Sequence, residues 1–460
     1  EGEGPRPGQD TFAEDAATDL AAAALYRQSL GVLEPTDAQI QRMLDRAAAW
    51  DHAVADQDRL THINAMAMQF YEARVDTGWA GAYLDDRLPG WRALPHVAAG
   101  YAPASWTALV DHLGGRGVTN AELLETGLAT RARTGTLIDR FRDRAVLPIT
   151  HDQQILGFVA RRHPDLTDDD RCGPKYLNTP DTVLFHKGAQ LHGEIPELLD
   201  LGAVPVLVEG PFDAVAVTLA SQGRYVGVAP LGTALTEEQA RQLATLSTRP
   251  IVATDADLPG RLAAERAFWL LTQHGTDPLA AQLPDGTDPA SVLHAHGPDA
   301  LIGLLEGPRP LGQIMIDERR ANLPARAAFE AATRVIAARP PSTWATSTIE
   351  AACHAGIGLE TAAKHLRAAV TEWNRDPAHA AAGHLGETAE VRARLKAQQD
   401  PSQRWRALAD QIDPRLTTQS DWPALAQMFQ RAHHAGHDVT VLARRLVADS
   451  PLRDMPAQDL

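Results

Sequence analysis

The sequence predicts an α/β protein in which a parallel sheet is flanked by helices, with an α+β unit before it and a helical region after it. Three observations lead to this. From Gly193 to about Gly307, short runs of β-branched and apolar residues alternate with helical patterns, which implies right-handed crossovers and a parallel sheet of about four strands. Between about Arg59 and His192, helical stretches mix with short strand-like runs such as Ala145 to Ile149 and Gln154 to Ala160. Beyond about Pro308 strand signals fade, and an Ala-, Arg- and Leu-rich remainder keeps helical spacing.

Taken in chain order, residues 1 to about 10 are rich in Gly, Pro and acids and are expected to be disordered. A helical leader runs from Phe12 to about Ala55, broken near Gly31 and Pro35, with Thr36 as the N-cap of its second helix. These segments form an opening region of residues 1–58, followed by an α+β unit at 59–192. The parallel-sheet unit, 193–307, holds strands at Val204 to Glu209, Tyr225 to Ala229, Pro250 to Asp255 and Leu279 to Pro284. Its helices start at Pro211, at Thr236 and near Gly260; Pro211 suits the first helical position, and Thr236 with Gln239 makes a capping box. Helices fill the last region, 308–460, with interruptions at Pro340 and Pro341, near Asp400 and at Pro423.

With 460 residues, the chain is too long for one ordinary core, and its hydrophobic content of 44% suits a soluble protein. Leu20 to Tyr26 is too short to span a bilayer, so no membrane partner is expected. The start at Glu1 shows no secretory signal, so an excised fragment is expected. Cys172 and Cys353 are the only cysteines, pointing to a cytoplasmic setting and no structural zinc in this chain. A net charge of −16 counts against a surface coated in nucleic acid, so any such surface must be local. The candidate lies between Arg131 and Lys187, where Arg140, Arg142, Arg144, Arg161, Arg162, Arg171 and Lys175 fall among strand-like runs. Acids such as Asp139, Asp143 and Asp168 to Asp170 are interspersed, which leaves a solvated charged face as the alternative.

Acids mark the ends of three apolar runs: Glu209 with Asp213, Asp255 with Asp257, and Asp285 with Asp288. Ligands of open parallel sheets bind beyond the carboxyl ends of the strands, where these acids fall. If strand geometry persists, Asp255 and Asp257 leave the same face and share a hard cation with Glu209. Mg²⁺ suits such a site, because one or two carboxylates hold it while phosphates and water complete its shell. Phosphoryl or nucleotidyl transfer is the chemistry suggested. No GxxxxGK[ST] occurs, which removes a P-loop as its source.

With the acids, basic strands and module order in place, residues 60 to 306 resemble the catalytic core of bacterial DnaG-type DNA primases, whose central domain is a Toprim fold. In the first half the resemblance rests on Gly100 to Pro103 with Trp106, Arg140 to Arg144, Gly157 and Phe158 with Arg161, Lys175 to Asn178, and Phe185 to Gly188. In the second half it rests on Glu209 and Gly210 with Asp213, Leu231 to Ala234, Asp255 and Asp257 with Gly260, and Asp285, Gly286, Asp288 and Pro289. Residues 63–149 look most like primase-like modules of conjugative relaxases and plasmid proteins of high-GC actinobacteria, and the tail from Asp421 to Val439 fits.

The resemblance implies catalytic acids Glu209, Asp255 and Asp257, with Asp213 and Asp288 as further metal ligands for two Mg²⁺ or Mn²⁺ ions. It also implies a nucleotide and template groove of Arg142, Arg144, Arg161, Lys175, Asn178 and Lys187. Single-stranded DNA and nucleoside triphosphates are the implied partners, and primer synthesis in plasmid replication or conjugative transfer the implied activity. A helicase or relaxase is expected to dock on the helical region. Two departures stand out: the family's DGDxAG appears here as Asp255-Ala256-Asp257-Leu258-Pro259-Gly260, and Ala290 replaces one acid of its DPD.

Other readings remain open. Asp213 suits the first turn of a helix, Asp288 suits an N-cap, and Tyr101 and Trp106 are expected in the core. His433 and His437 have metal-like spacing but read as a surface helix. Toprim sheets also serve topoisomerases and nucleases, although the six tyrosines include no evident nucleophile. A non-catalytic DNA-binding or partner-docking module of a larger relaxase is the third alternative.

Overall fold

The computed structural model describes residues 56–94, 97–166, 173–232, 234–386, 401–418, 422–434 and 438–441. The expected disordered start, the leader with Thr36, Asp168 to Cys172, Thr233 and His437 lie outside the described residues.

The first described helix, α1 (56–72), buries Leu60, Ile63, Ala67, Phe70 and Tyr71, one stripe at helical spacing. After α2 (Ala80–Arg87) comes the first strand, β1 (Gly100–Ala102). Two short helices, α3 (Ala108–Gly114) and α4 (Asn120–Glu125), precede the ribbon of β2 (Ala129–Arg131) and β3 (Leu137–Asp139). Strands β4 (Arg144–His151), β5 (Gln154–Arg162) and β6 (Tyr176–Asn178) join β1 in an antiparallel sheet of order β1-β4-β5-β6. The β4–β5 hairpin closes with His151 opposite Gln154, and Asp152 and Gln153 take φ of 46° and 63°. Left-handed backbone at both turn residues matches the twist of the flanking strands.

A mixed sheet follows, built from β7 (Leu191–His192), β8 (Val204–Leu207), β9 (Tyr225–Pro230), β10 (Ile251–Val252), β11 (Leu279–Ala280) and β12 (Arg309–Pro310). Its order is β12-β11-β10-β8-β9-β7. Strands β11, β10, β8 and β9 run parallel, as the alternating pattern predicts, and β7 and β12 add antiparallel edges. The edge strands escaped the sequence reading because no apolar run surrounds Leu191–His192 or Arg309–Pro310, unlike the equally short β10 and β11. Between the strands lie α5 (Pro196–Asp200), α6 (Pro211–Ser221), α7 (Glu237–Leu246), α8 (Leu258–Thr272), α9 (Pro289–His296) and α10 (Pro298–Glu306). The Thr236–Gln239 capping box forms as expected.

Side chains alternate between the two faces of this sheet. Val206, Val208, Ile251 and Ala253 enter a core shared with α6, α9, α10 and the antiparallel sheet. Leu207, Val226, Val228 and Val252 enter a second core with α8 and the C-terminal helices α11 (Leu311–Asn322), α12 (Ala325–Ala338), α13 (Trp344–Ala355) and α14 (Leu359–Arg375). The helical region therefore covers one face of the sheet. The Pro340–Pro341 interruption falls between α12 and α13 as expected. Pro423 likewise stands at a boundary, in the first turn of the helix Trp422–His434 that follows the break after Ile412, where its missing N–H costs nothing.

Arg140, Arg142 and Arg144 do not alternate along one strand, because β3 ends at Asp139, β4 begins at Arg144, and Asp143 between them has φ 50°. Trp106 is not core either, being 61% exposed, whereas Tyr101 is buried. No helix among the described residues is long and apolar enough to cross a membrane.

Close packing of α6 on β9 depends on Gly227, where an added Cβ would lie 2.2 Å from the Ala214 carbonyl oxygen and 2.5 Å from its Cα. Gly227→Ala is expected to destabilise the chain by about 1–3 kcal/mol through overpacking. Urea unfolding at matched pH checks this, and a midpoint equal to that of the parent would refute the contact.

Candidate active site and nucleic-acid groove

Glu209 directly follows the last buried residue of the β8 run, and Asp255 follows β10, the next parallel strand. The two ends are linked, since the Asp255 N–H donates to Glu209 Oε1 at 3.1 Å. Asp257 is the N-cap of α8 and accepts from the Gly260 N–H at 2.8 Å. A Cβ on Gly260 would lie 2.0 Å from the Asp255 carbonyl oxygen, so only glycine lets the first turn of α8 pack against this loop. The strand-face expectation for Asp255 and Asp257 needs correcting: β10 ends at Val252, and a turn into α8, rather than the pleat, orients them.

Asp213 lies in the first turn of α6, 8% exposed, and its Oδ1 accepts from the Ala290 N–H of α9 at 3.2 Å. Asp288 caps α9 through the Ser291 N–H at 2.6 Å. It also pairs with Arg87 of α2 at 2.6 Å, while Arg87 donates to Ser291 Oγ at 2.8 Å. Asp288 therefore forms the expected N-cap and at the same time pairs with Arg87. Asp285 is exposed in the preceding turn.

Burial pushes the Asp213 carboxyl up to about 7, helped by the charge of Asp288. Asp255 also rises to about 7, through burial first and then repulsion from Glu209, Asp288 and Asp257, against the pull of Lys175. At Asp288 burial acts upward, but hydrogen bonds from Ser291 and the Arg87 charge outweigh it and hold the carboxyl below its ordinary range. Among the described residues, no group of three His, Cys, Asp or Glu side chains is by itself arranged to hold a metal ion. The donor set nevertheless fits Mg²⁺ or Mn²⁺: hard oxygens, excess negative charge, and few protein ligands needed where phosphate and water supply the rest.

Opposite the acids, Arg161 of β5 donates to the Tyr176 hydroxyl at 2.8 Å. Its guanidinium stands 5.2 Å from the Tyr83 ring centre and 5.5 Å from those of Tyr176 and Phe212. Lys175 lies 5.5 Å from the Tyr176 ring and acts electrostatically on Asp255. Asn178 donates to the Leu231 carbonyl at 2.6 Å, and Lys187 is exposed beside Gly232. Arg142 and Arg144 instead line a second cleft of about 440 Å³ with Arg140, Arg162 and Trp106. Arg142 lies 4.4 Å over the exposed Trp106 ring and donates to the Asp139 carbonyl. Arg144 is buried and donates to the Pro174 carbonyl at 2.9 Å, tying β4 to the approach to β6.

Sequence reasoning missed Arg87 and Tyr83, and it misplaced Trp106. Arg87 stands 201 residues from Asp288, beyond the reach of any local pattern. For Trp106 a signal existed, because Pro103, Ala104 and Ser105 before it read as a turn rather than a buried strand.

Residues 70–195 match the family "DNA primase catalytic core, N-terminal domain", and residues 206–293 match the family "Toprim-like". The DNA primase of Streptomyces coelicolor is 36% identical over 272 residues, covering 56% of this chain and 41% of the relative. Among solved structures, the RNA polymerase domain of Mycobacterium tuberculosis primase DnaG is 31% identical, with a TM-score of 0.57, covering 64% of this chain and 98% of that one. A DnaG primase catalytic domain bound to single-stranded DNA is 27% identical, with a TM-score of 0.56, covering 66% of this chain and 98% of that one. The fold and its strand-end acids define a primase-type catalytic core with a Toprim domain, and the chain belongs to the DnaG-type DNA primase family. It spans 41% of the length of the Streptomyces and Clostridium acetobutylicum primases it matches.

The raised acids make stability depend on pH. In the folded chain Asp213 and Asp255 keep their protons to about pH 7, whereas unfolded aspartates lose theirs near about 3.9. The folded state binds more protons in that window, so this contribution is full below about pH 4 and is lost as pH rises through about 7. Asp139, raised to about 6 by burial against two backbone hydrogen bonds, adds the same sign. Without divalent ions, Asp213→Asn is expected to lose less stability than the parent between about pH 4.5 and 7.5, read by urea unfolding. Parallel slopes would contradict the assignment. Removing the Arg87 charge with Arg87→Gln is expected to cost about 1.5–3 kcal/mol in the same assay, and an unchanged midpoint would remove the pair's importance.

Proposed function

We propose that this chain is the nucleotidyl-transfer core of a DNA primase, extending short RNA or mixed primers on a single-stranded DNA template from nucleoside triphosphates. The observation that carries this reading is the opposition of Glu209, Asp255, Asp213 and Asp288, at strand ends and helix starts, to Arg161 and Lys175 across one continuous core. A relative of the same fold is seen bound to single-stranded DNA, which supports the choice of template.

A 3′-hydroxyl attacks the α-phosphate of the incoming triphosphate, and pyrophosphate leaves. Mg²⁺ or Mn²⁺, one ion or a pair, held by Glu209, Asp255 and Asp257 with Asp213 and Asp288 in support, would neutralise the triphosphate and lower the pKa of the attacking hydroxyl. Glu209, nearest the nucleophile, ligates the ion or accepts the hydroxyl proton. Lys175, Lys187 and Arg161 neutralise triphosphate oxygens, with arginine offering paired donors. Asn178 positions the loop at Leu231 through its hydrogen bond to the carbonyl. Arg142 and Arg144 line the template side, where the exposed Trp106 adds a flat surface for a base.

The likeness of residues 63–149 to relaxase-associated primase modules supports a setting in plasmid replication or conjugative transfer. The helices from α11 onward are the proposed docking region for a helicase or relaxase.

Incubation with single-stranded DNA, labelled nucleoside triphosphates and Mg²⁺ or Mn²⁺ is expected to give labelled oligomers from the intact chain. Glu209→Gln and Asp257→Asn are each expected to lower product at least about 100-fold, a loss on the scale of removing charge stabilisation from the transition state. Equal product from the variants removes the assigned acids. Nicked template without synthesis favours the nuclease reading.

A further inference from the structure

Away from the acids and the basic groove, a cavity of about 230 Å³ lies where the two sheets meet. The β4–β5 hairpin contributes Leu147 and Ile155, the segment after β7 contributes Glu194, and α6 contributes Val215. His192 also lines it, 5% exposed, with neither ring nitrogen in a well-formed hydrogen bond, although one faces the Pro148 carbonyl. Glu194 Oε2 accepts from Gln242 Nε2 at 3.1 Å and faces His151 Nδ1 at 3.8 Å. Glu194 Oε1 and Gln242 Oε1, however, are buried without partners.

Buried polar atoms are almost always satisfied. Orphaned atoms on His192 and Glu194, both of which line the cavity, point to a partner that the chain does not supply. Glu194 Oε1 is an acceptor. Burial lowers the His192 pKa to about 4 against the opposing Pro148 carbonyl, so its ring is neutral and presents one donor and one acceptor. Leu147, Ile155 and Val215 supply apolar walls suited to a flat ring. The space is smaller than the clefts of about 300–1,000 Å³ that enclose drug-sized ligands, and a single base is the scale it suits.

We propose that this cavity binds a planar heterocycle whose edge carries adjacent N–H donors, as the amino–amide edge of guanine does, with that edge on Glu194 and the ring against His192. None of the cavity residues belongs to the proposed catalytic set, so the inference stands independently of primer synthesis. Because the walls come from both sheets, a bound base ties them together.

The test uses 9-methylguanine on the 460-residue chain, read by thermal unfolding and by the His192 imidazole resonances. A rise in Tm with movement of the His192 signals is expected. 9-Methyladenine, which sets an acceptor beside its amino group, is expected to bind at least about tenfold more weakly, as is 9-methylguanine to the isosteric variant Glu194→Gln, because a lost pairing to a buried carboxylate costs that much or more. No change in Tm or His192 resonances means a cavity that holds only solvent, and overturns the proposal. Equal affinity for the two probes, or for the parent and Glu194→Gln, overturns it as well. Binding lost in Asp255→Asn but kept in Glu194→Gln would assign the probe to the acid site and likewise overturn the proposal.

Discussion

Leu84 and Leu88 around the end of α2, Leu147 and Ile149 of β4, Val159 of β5, Val206 of β8, Phe212 of α6 and Leu293 of α9 belong to one apolar cluster. That continuity means the antiparallel and mixed sheets do not merely adjoin but bury each other's side chains. Removing apolar surface from water contributes roughly 25 cal/mol per Å², so a shared core of this kind is a strong constraint on how the sheets face. Arg161 leaves β5 on the side of Tyr83 and Phe212, and Asp213 leaves α6 one residue after Phe212. The opposition of cations and acids is thus a consequence of packing. The Arg87–Asp288 pair at the rim adds a polar tie between the same two layers.

Gathering carboxylates in this way works against their ionisation. Asp213 and Asp255 both rise to about 7 because burial and neighbouring charge act in the same direction. Part of the cost is offset locally. The start of α8 donates an N–H to Asp257, the start of α9 donates N–H groups to Asp288 and Asp213, and Asp213 also lies in the first turn of α6. Asp213 and Asp255, raised in this way, stand opposite arginine and lysine.

Much of this was readable from local pattern. Buried parallel strands read as apolar runs, so the ends at Glu209 and Asp255 were visible, and Pro211, the Thr236–Gln239 pair and Gly260 marked helix starts. The same logic failed where the pattern was too short or too local. Strands β7 and β12 lie in polar and proline-rich surroundings and carry no apolar run. The Arg140-x-Arg142-x-Arg144 spacing imitates a strand, yet Asp143 takes a left-handed turn and the three arginines enter a cleft beside an exposed Trp106.

Residue order alone determined which chemical groups stand at strand ends and helix starts, because backbone periodicity and capping act over a few residues. Only the tertiary structure decided which of those ends meet. Arg87 reaches Asp288, Lys175 acts on Asp255, and Arg144 is turned inward onto backbone carbonyls because long-range packing sets side-chain surroundings that no short window encodes. The pairing of His192 with an enclosed space is of the same kind, since its walls come from segments that share no sequence neighbourhood.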